Sequence, residues 1–302
     1  MRMTARRWIA LTLTTIAAAI GLATLAAFMI DPFGVLRDPT GRKLSVYDFE
    51  RNAKFFMNQR YVPANFDGLI IGASSAANWD MPVLGGTRMY NDCLPGGNIV
   101  EESILVDQAL RKGRFKLAVI LLSPIETRTH EIHDGLDTIR SSEAIASIPL
   151  LYNEAAGLLR ASGLPFRKSD ASPDGKVELP YRKNLYAEPL PPDVFQIDPP
   201  ALLREQQLVG TLENRGTRVI YVVPPVYEPL YQVNRSSYEA WLKTILPLIP
   251  RAPVINLNTP EYSVFRGDSS NFIDPFHLEP QAATEEVELL GRLVSQAAAS
   301  AN

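Results

Sequence analysis

Cysteine and histidine are scarce in this sequence. Its 302 residues contain one cysteine, Cys93, and three histidines. A single cysteine excludes an internal disulfide and a cysteine-rich metal module. His130 and His133 have the spacing of two metal ligands, but no third ligand stands at a matching spacing, so we interpret them as loop residues. The sequence therefore predicts neither a metal nor a cofactor.

An excess of positive charge is missing as well. The chain carries 30 Lys and Arg against 33 Asp and Glu. This balance lacks the basic surface of a nucleic-acid-binding protein, so no nucleic-acid partner is expected. Hydrophobic residues make up 46% of the chain. That fraction, at this length, is enough for a substantial core and excludes a chain that is disordered throughout.

Only one long hydrophobic run occurs. Residues 8–30 contain no charged side chain. As a helix they would span roughly 35 Å, which is enough to cross a hydrocarbon core of about 30 Å. Three arginines precede the run and Asp31 follows it. The positive-inside rule then places residues 1–7 in the cytoplasm and everything after residue 30 across the membrane.

A cleaved signal peptide is the alternative interpretation of this run. The sequence Ala17-Ala18-Ala19 fits a small-residue cleavage pattern. However, it lies inside the apolar run, which is longer than the usual hydrophobic region of a signal peptide. We therefore favour an uncleaved transmembrane anchor over residues 8–30. Both interpretations export the remainder of the chain.

Five short apolar segments predict buried strands. They are Phe66–Ala73, Arg88–Asp92, Lys116–Ser123, Thr217–Val223 and Pro253–Leu257. Helical patterns follow at Ile99–Arg111, at Ala201–Arg215, from Ser236 with Glu239 as a capping box, and from Pro280. Strands that alternate with helices indicate a parallel sheet. We therefore expect an α/β fold, a three-layer α/β/α sandwich around a five-stranded parallel, flavodoxin-like sheet, plus the N-terminal transmembrane helix.

The same pattern divides the exported part of the chain. Residues 31–65 are mixed in composition and are interpreted as a connector with one short helix, and residues 66–298 as the α/β domain. Between the third and fourth strands the chain is about three times longer than one crossover helix needs. We interpret residues 126–198 as an insertion that either shapes a substrate cleft or merely elaborates the surface. Within it, Ser141–Arg160 looks helical.

Reactive side chains follow several predicted strands. In an open parallel sheet, ligand-binding groups gather at the carboxyl ends of the strands. Ser74 follows the first strand, and Asp274 and His277 come after the fifth. A serine nucleophile needs a base within hydrogen-bond reach, and the base needs an orienting group. We therefore predict Ser74 as the nucleophile, with Ser75 as the alternative, His277 as the base and Asp274 as its orienting carboxylate.

Backbone amides near the same edge could stabilise an oxyanion. Ser74 begins a turn, and Gly96 follows the second strand in a glycine pair that allows close backbone approach. The amides of Ser74 and Gly96 are thus the predicted oxyanion hole. The glycine pair could also be a simple turn.

These motifs together resemble the SGNH (GDSL-type) hydrolase superfamily. The matching residues are the Gly72-Ala73-Ser74 turn, Gly96 in the second block and the Asp-x-x-His pair Asp274–His277. The resemblance covers about 66–125 and 217–298. With its N-terminal anchor, the chain looks most like the membrane-anchored, envelope-facing branch. That branch includes proteins resembling alginate O-acetyltransferases and the teichoic-acid D-alanylation protein.

The resemblance implies a serine O-acyltransferase or esterase. Such a protein would move or remove acetyl groups on an envelope or exported polysaccharide, and its substrate would be the polysaccharide or an acyl ester. The resemblance also implies a single-pass protein of the bacterial inner membrane with a periplasmic main domain. A multi-span membrane acyltransferase is the implied partner.

The sequence departs from the superfamily pattern at two places. Ala73 stands at the usual Asp of the nucleophile turn, and residues 123–126 (SPIE) stand where an Asn donor is expected. A further oxyanion donor would then come from Ser123, Asn78 or Asn98. Losing one such donor typically lowers the rate by about 10²–10³. A non-catalytic SGNH-fold partner of a membrane acyltransferase, or a glycan-binding protein, is therefore the alternative function.

Overall fold

A five-stranded parallel sheet forms the centre of the protein. The computed structural model describes residues 4–44, 46, 51–80, 83–133, 136–139, 147–164, 172–179 and 182–299. The strands are β1 Gly68–Ile71, β2 Met89–Asn91, β3 Leu117–Leu121, β4 Arg218–Val223 and β5 Val254–Asn256. They are hydrogen-bonded in the order β2-β1-β3-β4-β5, and every pair is parallel. The predicted α/β fold and flavodoxin-like strand order are confirmed.

Nine helices are present in the described part of the chain. They are α1 Ala5–Ile30, α2 Arg51–Asn65, α3 Ile99–Leu110, α4 Pro124–Thr127, α5 Ile148–Ala161, α6 Pro199–Asn214, α7 Glu228–Ile245, α8 Ser263–Gly267 and α9 Pro280–Ala299. Short 3-10 turns occur at Ser74–Ala76, Leu136–Thr138, Pro192–Phe195, Pro260–Tyr262 and Ser269–Asn271. A two-stranded antiparallel hairpin, β6 Phe272–Asp274 and β7 His277–Leu278, lies outside the main sheet.

Both faces of the sheet are covered. Every residue of β1 and β3 is buried, as expected for strands with a layer on each side. Helices α2 and α6 both pack against α3. Because crossovers between parallel strands are right-handed, the connection from β1 to β2 lies on the opposite face from α3, α6 and α7. Helix α9 packs beside this connection, since its Gly291 adjoins Leu84.

Helix α2 belongs to the core although it lies in the segment interpreted as a connector. Its side chains Phe56, Met57 and Tyr61 are buried, and it packs against α3. The ring centroids of Phe33 and Phe56 lie 5.2 Å apart, so the chain just after α1 also joins this core. The segment 31–65 thus packs onto the domain through α2 and through the residues just after α1.

The predicted start of α7 is wrong. The helix begins at Glu228, eight positions before Ser236, with Pro229 in its first turn. A proline is well tolerated there because the first helical N–H groups have no partner within the helix. Ser236 therefore lies inside the helix, and Glu239 pairs with Arg235 at 2.6 Å instead of closing a capping box.

The insertion contains one substantial helix in its described part, α5. This helix covers residues 148–160 of the segment predicted as helical from Ser141 to Arg160. Residues 141–146 lie outside the described residues. Helix α1 is long and apolar enough to cross a membrane, by length and composition, and is the one such helix among the described residues.

Candidate active site

The turn that carries Ser74 follows β1 directly. At Gly72 a Cβ atom would lie 2.5 Å from the Leu121 side chain of the neighbouring strand, so a residue without a side chain is needed here. Ala73 is extended, and Ser74 begins a 3-10 turn. This turn directs the chain away from the sheet and leaves Ser74 only partly buried.

The β6–β7 hairpin carries the other two predicted residues. One carboxylate oxygen of Asp274 accepts the backbone N–H groups of Phe276 and His277, at 2.9 and 3.1 Å. The side-chain amide of Asn78 donates to the Leu278 carbonyl at 2.7 Å and ties the hairpin to the Ser74 turn. The hairpin is therefore closed by Asp274 itself and fixed against the turn after β1.

Ser74, His277 and Asp274 form one hydrogen-bonded series. The Nε2 atom of His277 lies 2.8 Å from Oγ of Ser74, and Nδ1 lies 2.8 Å from each carboxylate oxygen of Asp274. Burial raises the pKa of Asp274, but hydrogen bonds and charge from His277 and the two backbone N–H groups outweigh it, so the net pKa is lowered. An ionised carboxylate thus holds the imidazole with its other nitrogen toward the serine, which is the arrangement for general-base activation.

A small apolar cavity adjoins the serine. It has a volume of about 60 Å³, and Ser74, Ser123 and His277 lie on its wall. Much of the remaining wall is apolar or aromatic and includes Val194, Val223, Pro225, Val226, Tyr238 and Phe276. A reactive hydroxyl at the side of a compact apolar cavity can receive an ester with a short acyl chain.

Gly96 and Asn98 lie at a different cavity. Gly96 has a left-handed backbone conformation (φ 66°), and both residues line a second cavity with Arg128 and His133. Neither lines the cavity that contains Ser74. The Asn98 side chain caps α3 through the amides of Val100 and Glu101 and also donates to the Glu131 carbonyl.

The other two oxyanion candidates differ in position. Asn78 donates from its side-chain amide to the hairpin, as described above, and does not line the Ser74 cavity. Ser123 does line it, but its hydroxyl donates to the Glu126 carboxylate. Ser74, Asp274 and His277 are therefore brought together and Ser123 stands beside them, whereas Asn78 and Asn98 donate elsewhere and Gly96 lines the second cavity.

Glu126 is a site residue that sequence reasoning missed. Besides the Ser123 hydroxyl, its carboxylate accepts the backbone N–H of Ala73 at 3.2 Å, directly before Ser74. Burial raises its pKa to about 7. Glu126 therefore connects the ends of β1 and β3 beneath the nucleophile. The one sequence signal for Glu126 is its position: an acidic residue stands three positions after Ser123, at the end of the third predicted strand.

A buried lysine on α2 organises the loop after β2, and it too was missed. The Lys54 ammonium donates to the carbonyls of Asn91 and Cys93 at 2.7 and 2.6 Å. Asn58, one turn along, donates to the Asp92 carboxylate at 2.9 Å. Burial lowers the pKa of Lys54 to about 8 and raises that of Asp92 to about 7. Nothing in the sequence of residues 51–65 links them to this loop.

The histidines of the insertion and the cysteine have other surroundings. His130 lies 2.8 Å from Asp198 and His133 lies 3.4 Å from Glu101. Within the described ranges, no three His, Cys, Asp or Glu side chains group as metal ligands would. Cys93 is buried, and burial raises the pKa of its thiol, which disfavours the nucleophilic thiolate.

No protein-family model matches the chain, and no curated protein matches its sequence significantly.

Proposed function

We propose that the protein is a membrane-anchored serine O-acyltransferase or esterase that acts on acyl esters of an envelope or exported polysaccharide. The observation that carries the proposal is the hydrogen-bonded series Ser74–His277–Asp274 beside an apolar cavity. We name a polysaccharide as the substrate because the chain resembles the envelope-facing SGNH branch. A multi-span membrane acyltransferase is the proposed partner that delivers acyl groups.

The reaction begins with attack of Ser74 Oγ on the ester carbonyl. His277 Nε2 accepts the serine proton as the C–O bond forms, and Asp274 stabilises the imidazolium through Nδ1. The tetrahedral intermediate collapses to an acyl-serine, and the departing alcohol takes the proton from His277. A sugar hydroxyl or water then attacks the acyl-serine with His277 again as base, which returns Ser74 and releases the acylated sugar or free acid.

The cavity supports a short acyl group. The cavity beside Ser74 has a volume of about 60 Å³ and is walled mostly by apolar side chains. Such a compact apolar cavity suits a short acyl group such as acetyl. Acetyl transfer or removal is the form of the activity that we propose.

Helix α1 supports attachment to a membrane. It is almost entirely exposed between Ala5 and Leu25, as a helix surrounded by lipid would be. Arg2, Arg6 and Arg7 precede its apolar part, so the positive-inside rule assigns the domain to the extracytoplasmic side. We propose the bacterial inner membrane, with the main domain in the periplasm.

The full-length protein in detergent tests the activity directly. It is incubated with 4-nitrophenyl acetate, butyrate and octanoate, with and without an acetyl-accepting oligosaccharide. We expect release of 4-nitrophenol that falls steeply with chain length, and an acetyl adduct on the peptide containing Ser74. Acetylated oligosaccharide would identify a transferase, and free acetate alone an esterase. Folded protein without adduct or product would refute catalysis.

A non-catalytic partner protein is the second candidate. One observation favours it: among the oxyanion candidates, Ser123 donates to Glu126 and Gly96 lines another cavity. Cells that carry Ser74→Ala distinguish the two candidates. Undiminished acylation of the cell's polysaccharide in that strain would favour the partner role, whereas its loss with normal protein levels supports the enzyme.

A further inference from the structure

Helix α5 has two opposite faces that are both apolar in part. Its inner face buries Leu150 and Ala156. On the outer face Ile148 is 83% exposed, and Leu151 and Leu158 are each 52% exposed. With Ala155, these three side chains fall within an arc of about 80° at 100° per residue. We call Ile148, Leu151, Ala155 and Leu158 the outer stripe.

The outer stripe is unusual for a surface in water. Surface helices normally present charged and polar residues opposite their buried face. Among the exposed residues of α5 that the structure describes, one is charged, Arg160. It lies more than about 100° from Ile148 around the helix axis and so outside the outer stripe. Beyond the helix, Leu164 is also exposed. The outer stripe therefore suits an apolar environment better than bulk water.

The position of α5 indicates what that environment is. Helix α5 packs against α1, and a Cβ atom placed on Gly157 would lie 3.9 Å from Cγ2 of Ile30. Ala27 is buried, whereas the helix before residue 26 is almost entirely exposed. Among the described residues, the domain thus contacts only the last turn of α1. In a bilayer that turn stands at the far edge of the hydrocarbon core, because residues 8–30 span little more than its thickness.

The end of α1 is fixed to the domain and not joined by a free linker. The Asp31 carboxylate accepts the backbone N–H groups of Val35, Leu36 and Arg37 at 2.9–3.1 Å. Arg42 forms an ion pair with Asp31 at 2.6 Å and also donates to the Ile30 carbonyl at 3.1 Å. A domain held in this way keeps α5 at the height of the membrane surface.

We infer that the outer stripe of α5 is a membrane-contact surface, which lies in the lipid interface beside the anchor. The inference rests on the proposed anchoring of α1 and goes beyond the proposed activity. The outer stripe would contact the boundary between the headgroups and the acyl chains of a phospholipid bilayer. Apolar helix faces insert into this boundary by about 5–10 Å. The contact would hold the domain in one orientation over the membrane.

Spin-label accessibility in vesicles tests this inference. Full-length protein with Cys93→Ala is reconstituted into phosphatidylethanolamine/phosphatidylglycerol vesicles, with one nitroxide on Ile148→Cys, Leu151→Cys or Leu158→Cys. Leu13→Cys on α1 is the lipid reference, and Val264→Cys on α8, 86% exposed, is the water reference. Thermal unfolding confirms that each labelled protein is folded.

We expect the three α5 labels to collide with oxygen more than with a water-soluble nickel complex, as Leu13 does and Val264 does not. If the α5 labels behave like Val264 while Leu13 behaves as lipid-exposed, the membrane contact is refuted and the anchor stands. Shielding of the α5 labels from both reagents would assign the stripe to another protein surface and would also refute it. A water-exposed Leu13 label would overturn the anchor and this inference together.

Discussion

The Nε2 atom of His277 lies 2.8 Å from the hydroxyl oxygen of Ser74, although 203 positions separate the two residues. Ser74 begins the turn after β1, which is the second strand from one edge of the sheet. His277 lies in the β6–β7 hairpin, outside the sheet. Asn78 joins these two parts by its hydrogen bond to the Leu278 carbonyl. The contact between Ser74 and His277 therefore depends on tertiary packing and on the Asn78 hydrogen bond. The roles of both residues can be tested by substitution.

Substitution of the two neighbouring serines distinguishes their roles. Ser74→Ala removes the hydroxyl that lies 2.8 Å from His277 Nε2, so kcat/KM for 4-nitrophenyl acetate should fall by at least about 10³-fold. Ser75→Ala is the matched control, because the Ser75 hydroxyl is buried without a hydrogen-bond partner in the structure. It should retain at least a tenth of the activity. Equal losses in both variants would contradict the assignment of Ser74.

Asp274→Asn tests how His277 is oriented. The substitution replaces an ionised acceptor with an amide that can present N–H toward Nδ1, so the imidazole loses the partner that stabilises its protonated form. We expect kcat to fall by about 10²–10⁴-fold, with KM little changed. An Asp274→Asn protein with wild-type kcat would exclude this role.

The fold was predictable because its signals are local. Each strand is a short apolar run, and burial on both faces explains why β3 shows no alternation of polar residues. The predicted α/β fold and strand order are confirmed on this basis. The start of α7 was misjudged because a proline in the first turn competes with a plausible capping box farther along.

The site was predictable where the sequence carries a local signal. Ser74 directly follows a predicted strand, and Asp274 and His277 form an Asp-x-x-His pair that lies in a hairpin outside the sheet. The geometry brings the three residues together. The path of the loop after β2 depends instead on Lys54 from α2, and that contact has no signature in the local sequence. Gly96, farther along the same loop, lines the second cavity.

Ser123→Ala tests whether this hydroxyl serves the oxyanion. In the structure the Ser123 hydroxyl donates to Glu126, so its removal should lower kcat/KM by less than 10-fold. Loss of an oxyanion donor would instead lower it by about 10²–10³-fold. Steady-state kinetics with 4-nitrophenyl acetate separates the two ranges. A fall of 10²-fold or more, in protein with an unchanged Tm, would show that the hydroxyl turns toward the substrate.

Lys54→Met should destabilise the protein through Asp92. Lys54 holds two carbonyls of the loop after β2, and the Asp92 carboxyl is buried close to it. Removing one charge of a buried pair typically costs about 3–5 kcal/mol of unfolding free energy, because the other charge is left uncompensated. We expect Lys54→Met combined with Asp92→Asn to be less destabilised than the sum of the single variants. Additive effects in denaturant unfolding would show that the two residues act independently.

Glu286→Gln should flatten the pH dependence of stability. Glu286 on α9 is buried, and burial raises its pKa from 4.5 to about 8. The native state therefore holds a proton that the unfolded chain releases above about 4.5, so stability is greatest at acidic pH and falls as pH rises toward about 8. Wild-type Tm should thus drop between pH 5.5 and pH 8.

A glutamine resembles the protonated acid in shape and does not titrate, so Glu286→Gln should match the wild-type Tm near pH 5.5. At pH 8 it should exceed wild type by a few degrees, since about 1 kcal/mol shifts Tm by roughly 2–4 °C in a domain of this size. The adjacent, exposed Glu285 provides the matched control, Glu285→Gln, whose pH profile should follow wild type. Parallel profiles for Glu286→Gln and wild type would show that Glu286 is ionised in the folded protein across this range.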